Sequence, residues 1–321
     1  MKIMVAGGNG FLGQHVVSEL TRRGHRVVVL SRGTRKPVDT EGVEWIACDV
    51  ATGDLPLDQI RECGALVNLI GIKREVGSQT FAQVHVEATK HLIEAARKVG
   101  LRRFVHISVV AARPDPRNGY HDTKWQAEEL VRKSGLDFTI LKPGVIYGRG
   151  DDMITHLVKM IRFCTLFPVV GRGDSILQPV SGQEVARVVA AALERDISVG
   201  KTYEVVGPEP MMLRDVVRTV ADGTSLKVWI VPTPIWFQRV AVLLMNVVFR
   251  NPLSTPAQLQ MLIDGLPGNP VAVATELDVQ TEPFLAGTVA KLQGSIRPLF
   301  GFTLRLIRGC GAARATPAAR L

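Results

Sequence analysis

One stretch near the start limits the fold of this chain more than any other: VAGGNGFLGQHVVSEL, residues 5–20. Gly7, Gly10 and Gly13 recur at every third position between an apolar run, Ile3–Ala6, and an amphipathic segment. The first glycine permits a tight strand-to-helix turn, the second lets backbone approach a pyrophosphate, and the third lets the helix pack close to a sheet. The free N–H groups at the helix start, around Phe11 and Leu12, then face phosphate oxygens. Glycines alone serve any tight turn. The strand before, the helix after and a second strand at the expected distance together predict a dinucleotide site.

A repeated local pattern extends this into a fold. LTRRGHRVVVL, ARKVGLRRFVHI and VRKSGLDFTIL each read as a helix end, a glycine and an apolar strand. Gly24, Gly100 and Gly135 suit the left-handed residue that closes a helix, and the basic residues before them complement its negative end. The runs Val27–Ser31, Leu66–Ile70, Phe104–Ser108 and Phe138–Leu141 are continuously apolar, as buried parallel strands are. The class expected is α/β, a Rossmann-type doubly wound parallel sheet with a smaller, mostly helical C-terminal lobe. Residues 1–222 are read as the nucleotide-binding domain, with parts of a substrate or partner lobe inserted after about residue 143. The short strand Tyr203–Val206 is assigned to that lobe. Residues 223–321 are read as a helical region with a basic tail.

The 46% hydrophobic content and 21% charge support a sizeable core. Cys48, Cys63, Cys164 and Cys310 show no paired spacing, so neither a disulfide framework nor a metal site is expected. MKIMVAGG runs straight into a strand with no signal-peptide pattern. The expected location is the cytoplasm.

The end of the second strand bears on which dinucleotide binds. An NAD site usually carries an acid there to accept from the ribose hydroxyls. Here VVVLSRGTRKP offers Ser31, Arg32, Arg35 and Lys36, with no acid before Asp39. A carboxylate would repel a 2′-phosphate, whereas a guanidinium bonds to it and stacks on adenine. NADP(H) is the expected cofactor and NAD(H) the alternative.

NGYHDTKWQAEE, residues 118–129, places Tyr120 and Lys124 one helical turn apart. A cation beside a phenol can lower its pKa and fit it for proton transfer.

These pieces together resemble the extended and atypical short-chain dehydrogenase/reductase superfamily from Met1 to about Asp222. The group nearest in look contains the nucleotide-binding accessory subunit of respiratory complex I and its bacterial relatives. VNLIG, FVHIS, the tyrosine–lysine pair, LKPGVIYGRGD and LQPVSGQEVARVVAAAL carry that resemblance. It implies that Gly7, Gly10 and Gly13 hold the pyrophosphate and Arg32 the adenosine phosphate. Asp49 and Val50 would border the adenine and Gly71 the ribose beyond it. Lys124 would hold the nicotinamide ribose, Pro143, Gly144 and Val145 would lie beside the nicotinamide, and Tyr120 would be the acid or base.

Active relatives follow a first serine at the end of the fifth strand with a second hydroxyl that holds the substrate oxygen. Here FVHISVVAARPD offers Ser108 for the first and Val109 for the second. Ser108 would serve only if the alignment slips by one residue, which turns a strand side chain to the other face. His106 and His121 are the remaining substitutes. Losing a preorganised donor costs on the order of a hundredfold in turnover. The resemblance therefore implies an NADP(H)-binding accessory or assembly factor of a membrane-associated respiratory or quinone-related complex. The alternative is an NADP-dependent oxidoreductase or sugar-nucleotide epimerase or reductase using Tyr120 and Lys124, its substrate near Tyr147, Arg149 and Gln178.

Net charge is +9, and the chain has no acid from Pro283 onward while Lys291, Arg297, Arg305, Arg308, Arg314 and Arg320 contribute six of it. No stacking aromatics accompany these residues, so nucleic acid is not an expected partner. PIWFQRVAVLLMNVVFR has so narrow a polar stripe, Arg239, Asn246 and Arg250, that burial within its own domain is the first expectation. The alternative is docking on a protein or a bilayer. In KLQGSIRPLFGFTLRLIRG, Ile296, Leu299, Phe300, Leu304 and Ile307 interleave with basic residues. Such a tail suits an anionic membrane surface, which predicts peripheral attachment to the cytoplasmic face.

Overall fold

The structure, a computed structural model, describes residues 1–33, 41–115, 118–151, 153–163, 165–248 and 255–292. Arg35, Lys36, Cys164, Arg250 and the tail from residue 293 onward lie outside the described residues.

The first half alternates strand and helix: β1 (Lys2–Ala6), α1 (Phe11–Arg22), β2 (Arg26–Ser31), β3 (Val43–Ala47), α2 (Leu57–Arg61), β4 (Ala65–Asn68), α3 (Ala88–Val99), β5 (Arg103–Ile107), α4 (Gly119–Arg132) and β6 (Asp137–Pro143). A π-helical turn, Ala82–Glu87, leads into α3. The second half contributes β7 (Ile146–Tyr147), α5 (Met153–Phe163), β8 (Leu166–Val170), β9 (Ile176–Leu177), β10 (Val180–Ser181), α6 (Gly182–Glu194), β11 (Lys201–Val205), β12 (Met211–Met212), α7 (Leu213–Gly223), β13 (Trp229–Thr233), α8 (Ile235–Val248), α9 (Pro256–Asp264), α10 (Val271–Glu276) and α11 (Ala286–Leu292).

Seven strands form one sheet in the order β11-β6-β5-β4-β1-β2-β3, with every neighbouring pair parallel. This is the doubly wound sheet expected from the alternation. Strand order reverses between β1 and β4, and the carboxyl ends of these strands open the crevice where such sheets bind ligands. One face of the sheet is covered by α1 and α6, through Val16, Leu20, Val185 and Val189. The other is covered by α3 and α4, through Leu92, Ala96 and Val131. A separate cluster joins Ile154, Val158, Phe167, Val217 and Leu259 in the C-terminal lobe.

Two strands differ from expectation. Tyr203 and Val205 belong to β11, the sheet's edge beside β6, rather than to the lobe. Its register with β6 buries Tyr203 and Val205 in the core of the sheet. β3 forms the opposite edge, and its alternation of exposed and half-buried residues hides it from a search for continuous apolar runs.

Candidate functional site

The glycine turn has the geometry its spacing predicts. Gly7 adopts φ +85°, a conformation closed to most side chains, and its N–H donates to Leu30 O at 3.0 Å. A Cβ on Gly13 would overlap the Gly7 carbonyl and the Gly8 backbone, so only glycine lets α1 sit this close to β1. Gly10 caps α1 with extended backbone and no side-chain acceptor. The first turn contains no acid. The N–H groups of Phe11, Leu12 and Gly13, which have no acceptor within their own helix, are therefore left for an anion.

A cleft of about 470 Å³ opens in front of this turn. Of the residues anticipated for the cofactor, Gly7, Gly10, Phe11, Ser31, Arg32, Asp49, Val50 and Gly71 line it. Leu12 and Gly13 lie behind its wall, packed into the α1 interface. Arg32 is exposed at the end of β2. Asp49 uses one carboxylate oxygen to accept from Ala51 N at 3.1 Å, as an ordinary strand-end cap, while still facing the cleft. Pro143, Gly144 and Val145 lie outside the lining, at the end of β6: Pro143 O accepts from Val110 N at 3.2 Å, Gly144 N donates to Val205 O at 3.1 Å, and Val145 O accepts from Val180 N at 3.0 Å.

Tyr120 and Lys124 are both buried on α4. Asn118 caps this helix by accepting from Tyr120 N. Lys124 Nζ donates to Ile107 O at 2.7 Å, at the end of β5. Neither Tyr120 nor Lys124 lines the cleft, but Lys124 lies just behind Gly71, which does: a Cβ placed on Gly71 would lie 3.8 Å from Lys124 Nζ and 3.8 Å from His85 Nε2. Burial lowers the ammonium pKa to about 8, against an opposing attraction from Glu128. The expectation that this cation lowers the phenol's pKa is corrected: burial pushes Tyr120 up to about 12. Its ring packs edge-on against Phe81, His85 and His121, at centroid distances of 5.7, 5.5 and 5.8 Å.

His85, from the π-helical turn, was not anticipated from the sequence. Thr123 directs its single hydroxyl proton to Gly119 O, so it accepts from His85 Nδ1–H across 2.9 Å. Nε2 lies 3.2 Å from Ile72 N and 3.1 Å from Ile72 O. Burial and then the Lys124 charge lower the ring's pKa to about 3, against the Ile72 carbonyl, which favours a proton there. Nothing in AQVHVEATK marks this histidine; only the long-range contacts do.

Ser108 is buried and donates to Glu128 Oε1, a carboxylate also bound by Arg132 and Lys142. Val109 joins the apolar cluster that contains Tyr120. His106 is committed to Asn68 through Nδ1, and His121 to Asn118 through Nδ1; the other ring nitrogens of both are buried without partners. Tyr147 and Gln178 are buried too. Tyr147 packs on Phe284 at 4.9 Å, and Gln178 spans Gly207 O and Gly268 N. Of the three residues anticipated around a substrate, only Arg149 is exposed.

Residues 3–206 match the NAD dependent epimerase/dehydratase family. The chain is 26% identical over 240 residues to the mouse mitochondrial NADH dehydrogenase [ubiquinone] 1 alpha subcomplex subunit 9, covering 72% of this chain and 63% of that subunit. It is 31% identical to the Synechocystis photosystem II assembly factor Ycf39 over 214 residues, 64% of this chain and 63% of the factor. The match thus spans somewhat less than two thirds of either relative. Among solved structures, a Bacillus cereus UDP-glucuronic acid 4-epimerase in complex with UDP-glucuronic acid and NAD superposes with a TM-score of 0.71. That similarity covers 92% of this chain and 99% of the epimerase at 17% identity, a likeness of fold.

Proposed function

The chain belongs to the NAD dependent epimerase/dehydratase family, and from that premise we propose that it holds NADP(H) as a structural or redox-sensing element. In this reading it serves as an accessory or assembly factor of a membrane-associated respiratory or quinone-related complex. The observation that carries the reading is the commitment of Ser108 to Glu128, with Val109 on the apolar side beside Tyr120. A buried phenol without a hydroxyl partner for a substrate oxygen is fitted to seal a pocket rather than to drive proton transfer. The names of the mouse and Synechocystis relatives support the accessory and assembly part.

The residues fit the nucleotide. Gly7 and Gly10 with the N–H groups of Phe11, Leu12 and Gly13 receive the pyrophosphate; Ser31 and Arg32 receive the 2′-phosphate. Asp49 and Val50 border the adenine, and Gly71 and Lys124 the sugars. Pro143, Gly144 and Val145 are assigned to the nicotinamide end, with Tyr120 closing that side. The bound nucleotide would supply hydride chemistry; the protein's part is to hold it and exclude water.

A second reading, an oxidoreductase or sugar-nucleotide epimerase or reductase using Tyr120 and Lys124, draws on one observation. Lys124, with a pKa of about 8, stays mostly charged near neutral pH, one turn from the phenol. Steady-state assays of NADPH oxidation and NADP⁺ reduction with nucleotide sugars, ketones and quinones separate the two. Turnover that Tyr120→Phe abolishes establishes the second reading; no turnover beside tight binding supports the first.

A further inference from the structure

α8 is the helix whose apolar sequence suggested burial, and it lies instead on the surface. Only Val242 is fully buried among its side chains described, with Gln238, Ala241, Met245 and Asn246 half-covered beside it. The opposite side presents Trp236 (68% exposed), Val240, Leu243 (59%) and Val247 (63%). At positions i, i+4, i+7 and i+11 these fall within an arc of about 60°. Leu244 and Phe237 widen the face on one side, and Arg239 borders it on the other. The strand leading into the helix exposes Trp229 (71%) and Val231, and Trp229 pairs in register with exposed Leu166 of β8. Gln238 Nε2 donates to Pro168 O at 3.1 Å and ties α8 to that strand.

We propose that this face is an interfacial anchor for an anionic lipid bilayer, with α8 lying flat in the head-group region. The proposal deepens the membrane-associated part of the function given above by naming the contact surface. Charge decides for lipid. From Gly223 to Ile263 the chain has no Asp or Glu, while Lys227, Arg239 and Arg250 give it three positive charges. Arg239 bonds to Gln260 Oε1 at 3.2 Å at the edge of the apolar face. The Gln260 amide donates in turn to Asp264, whose carboxylate is paired with Arg113, so among the described residues Arg239 has no direct acidic partner there. Tryptophan at the margin of an apolar surface is suited to the bilayer interface, where the ring is buried and the N–H stays wet. Fourteen residues make a helix of about 21 Å, too short for a hydrocarbon core of about 30 Å. Among the described residues no helix is long and apolar enough to cross a membrane. The helix therefore rests on the bilayer, its side chains reaching ~5–10 Å into the head-group boundary.

The test is flotation of the full chain with vesicles of equal phosphatidylglycerol and phosphatidylcholine, and with phosphatidylcholine alone. The full chain should float with the anionic vesicles. Replacing Lys227 and Arg239 with Ala should weaken partitioning by about fivefold per charge. Leu243→Glu sets a carboxylate in the centre of the face, on an exposed side chain that the fold does not need, and should leave the protein in the bottom fraction. Trp236→Ser should lower flotation by tenfold or more and serves if the first variant misfolds. Both variants retain residues 293–321, so flotation of both at the native level would place lipid contact elsewhere and overturn the proposal. A full chain that stays down with both vesicles would assign the face to a protein and overturn it equally. NADPH binding measured on the same samples should be unchanged, which keeps failure of the anchor distinct from failure of the nucleotide reading.

Discussion

The hydroxyl of Ser108 donates to Glu128 Oε1, and this single bond turns the one serine at the end of β5 toward a buried carboxylate that Arg132 and Lys142 also bind. The next residue, Val109, meets the Tyr120 cluster with methyl groups alone. The glycine turn keeps its geometry and Lys124 stays one helical turn from Tyr120, while no serine or threonine hydroxyl from the end of β5 joins the phenol.

If Arg32 selects NADP(H), calorimetry should show tighter binding of NADPH than of NADH. Arg32→Ala should cost NADPH about tenfold and leave NADH almost unaffected. Solvent at the exposed end of β2 holds this loss below the ~1.5–3 kcal/mol of a sheltered charged hydrogen bond. Equal affinities in the native protein would refute the preference.

Tyr120→Phe should change NADPH affinity by no more than about twofold, because the ring rather than the hydroxyl closes the pocket. Lys124→Met should weaken it about tenfold by deleting a donor to the ribose. Fluorescence titration reads both. A large loss in the phenylalanine variant would show that the hydroxyl bonds to the nucleotide.

Gly13→Ala should destabilise the protein by at least the ~1–3 kcal/mol of ordinary overpacking, since its Cβ meets backbone that cannot rotate away. Thermal unfolding with and without NADPH measures this. A variant that melts normally and still gains stability from nucleotide would contradict the close packing of α1 on β1.

Lys124 and His85 give opposite ends of a pH profile. Lys124 has its folded pKa lowered from 10.5 to about 8, so the unfolded chain binds more protons between those values and this group's contribution to stability rises across them. Subtracting the Lys124→Met denaturation profile cancels groups shared by both proteins, including Tyr120 and Cys63. The difference should shift in favour of the native protein from pH 8 toward 10. His85 is lowered from 6.5 to about 3, so its contribution is lost as pH falls through that window, and His85→Gln should blunt the acid loss. Flat difference curves would mean that neither group is buried as described.

The parts of the fold legible from sequence are those where local pattern and tertiary role coincide. The turn at Gly7 to Gly13, with Gly7 at positive φ and Gly13 in close backbone contact, and the helix-closing glycines Gly24, Gly100 and Gly135, each at positive φ, announce themselves because backbone geometry demands glycine. β3 carries little signal because an edge strand needs no continuous apolar run, and the apolar pattern of β11 does not say which sheet it joins. His85 reaches Tyr120 from 35 positions away through a π-helical turn, a contact no local spacing encodes. α8 shows the limit of composition: an apolar helix reads as buried, yet the surface that covers it need not belong to its own chain.

The central claim, that the chain holds NADP(H) tightly through its own residues, is tested most directly by native mass spectrometry of the freshly purified protein, followed by release and identification of the bound nucleotide. The account predicts one NADPH or NADP⁺ per chain, much reduced in Arg32→Ala and retained in Tyr120→Phe. Protein that carries NAD(H) instead, or that neither carries nor takes up any nucleotide, would contradict it.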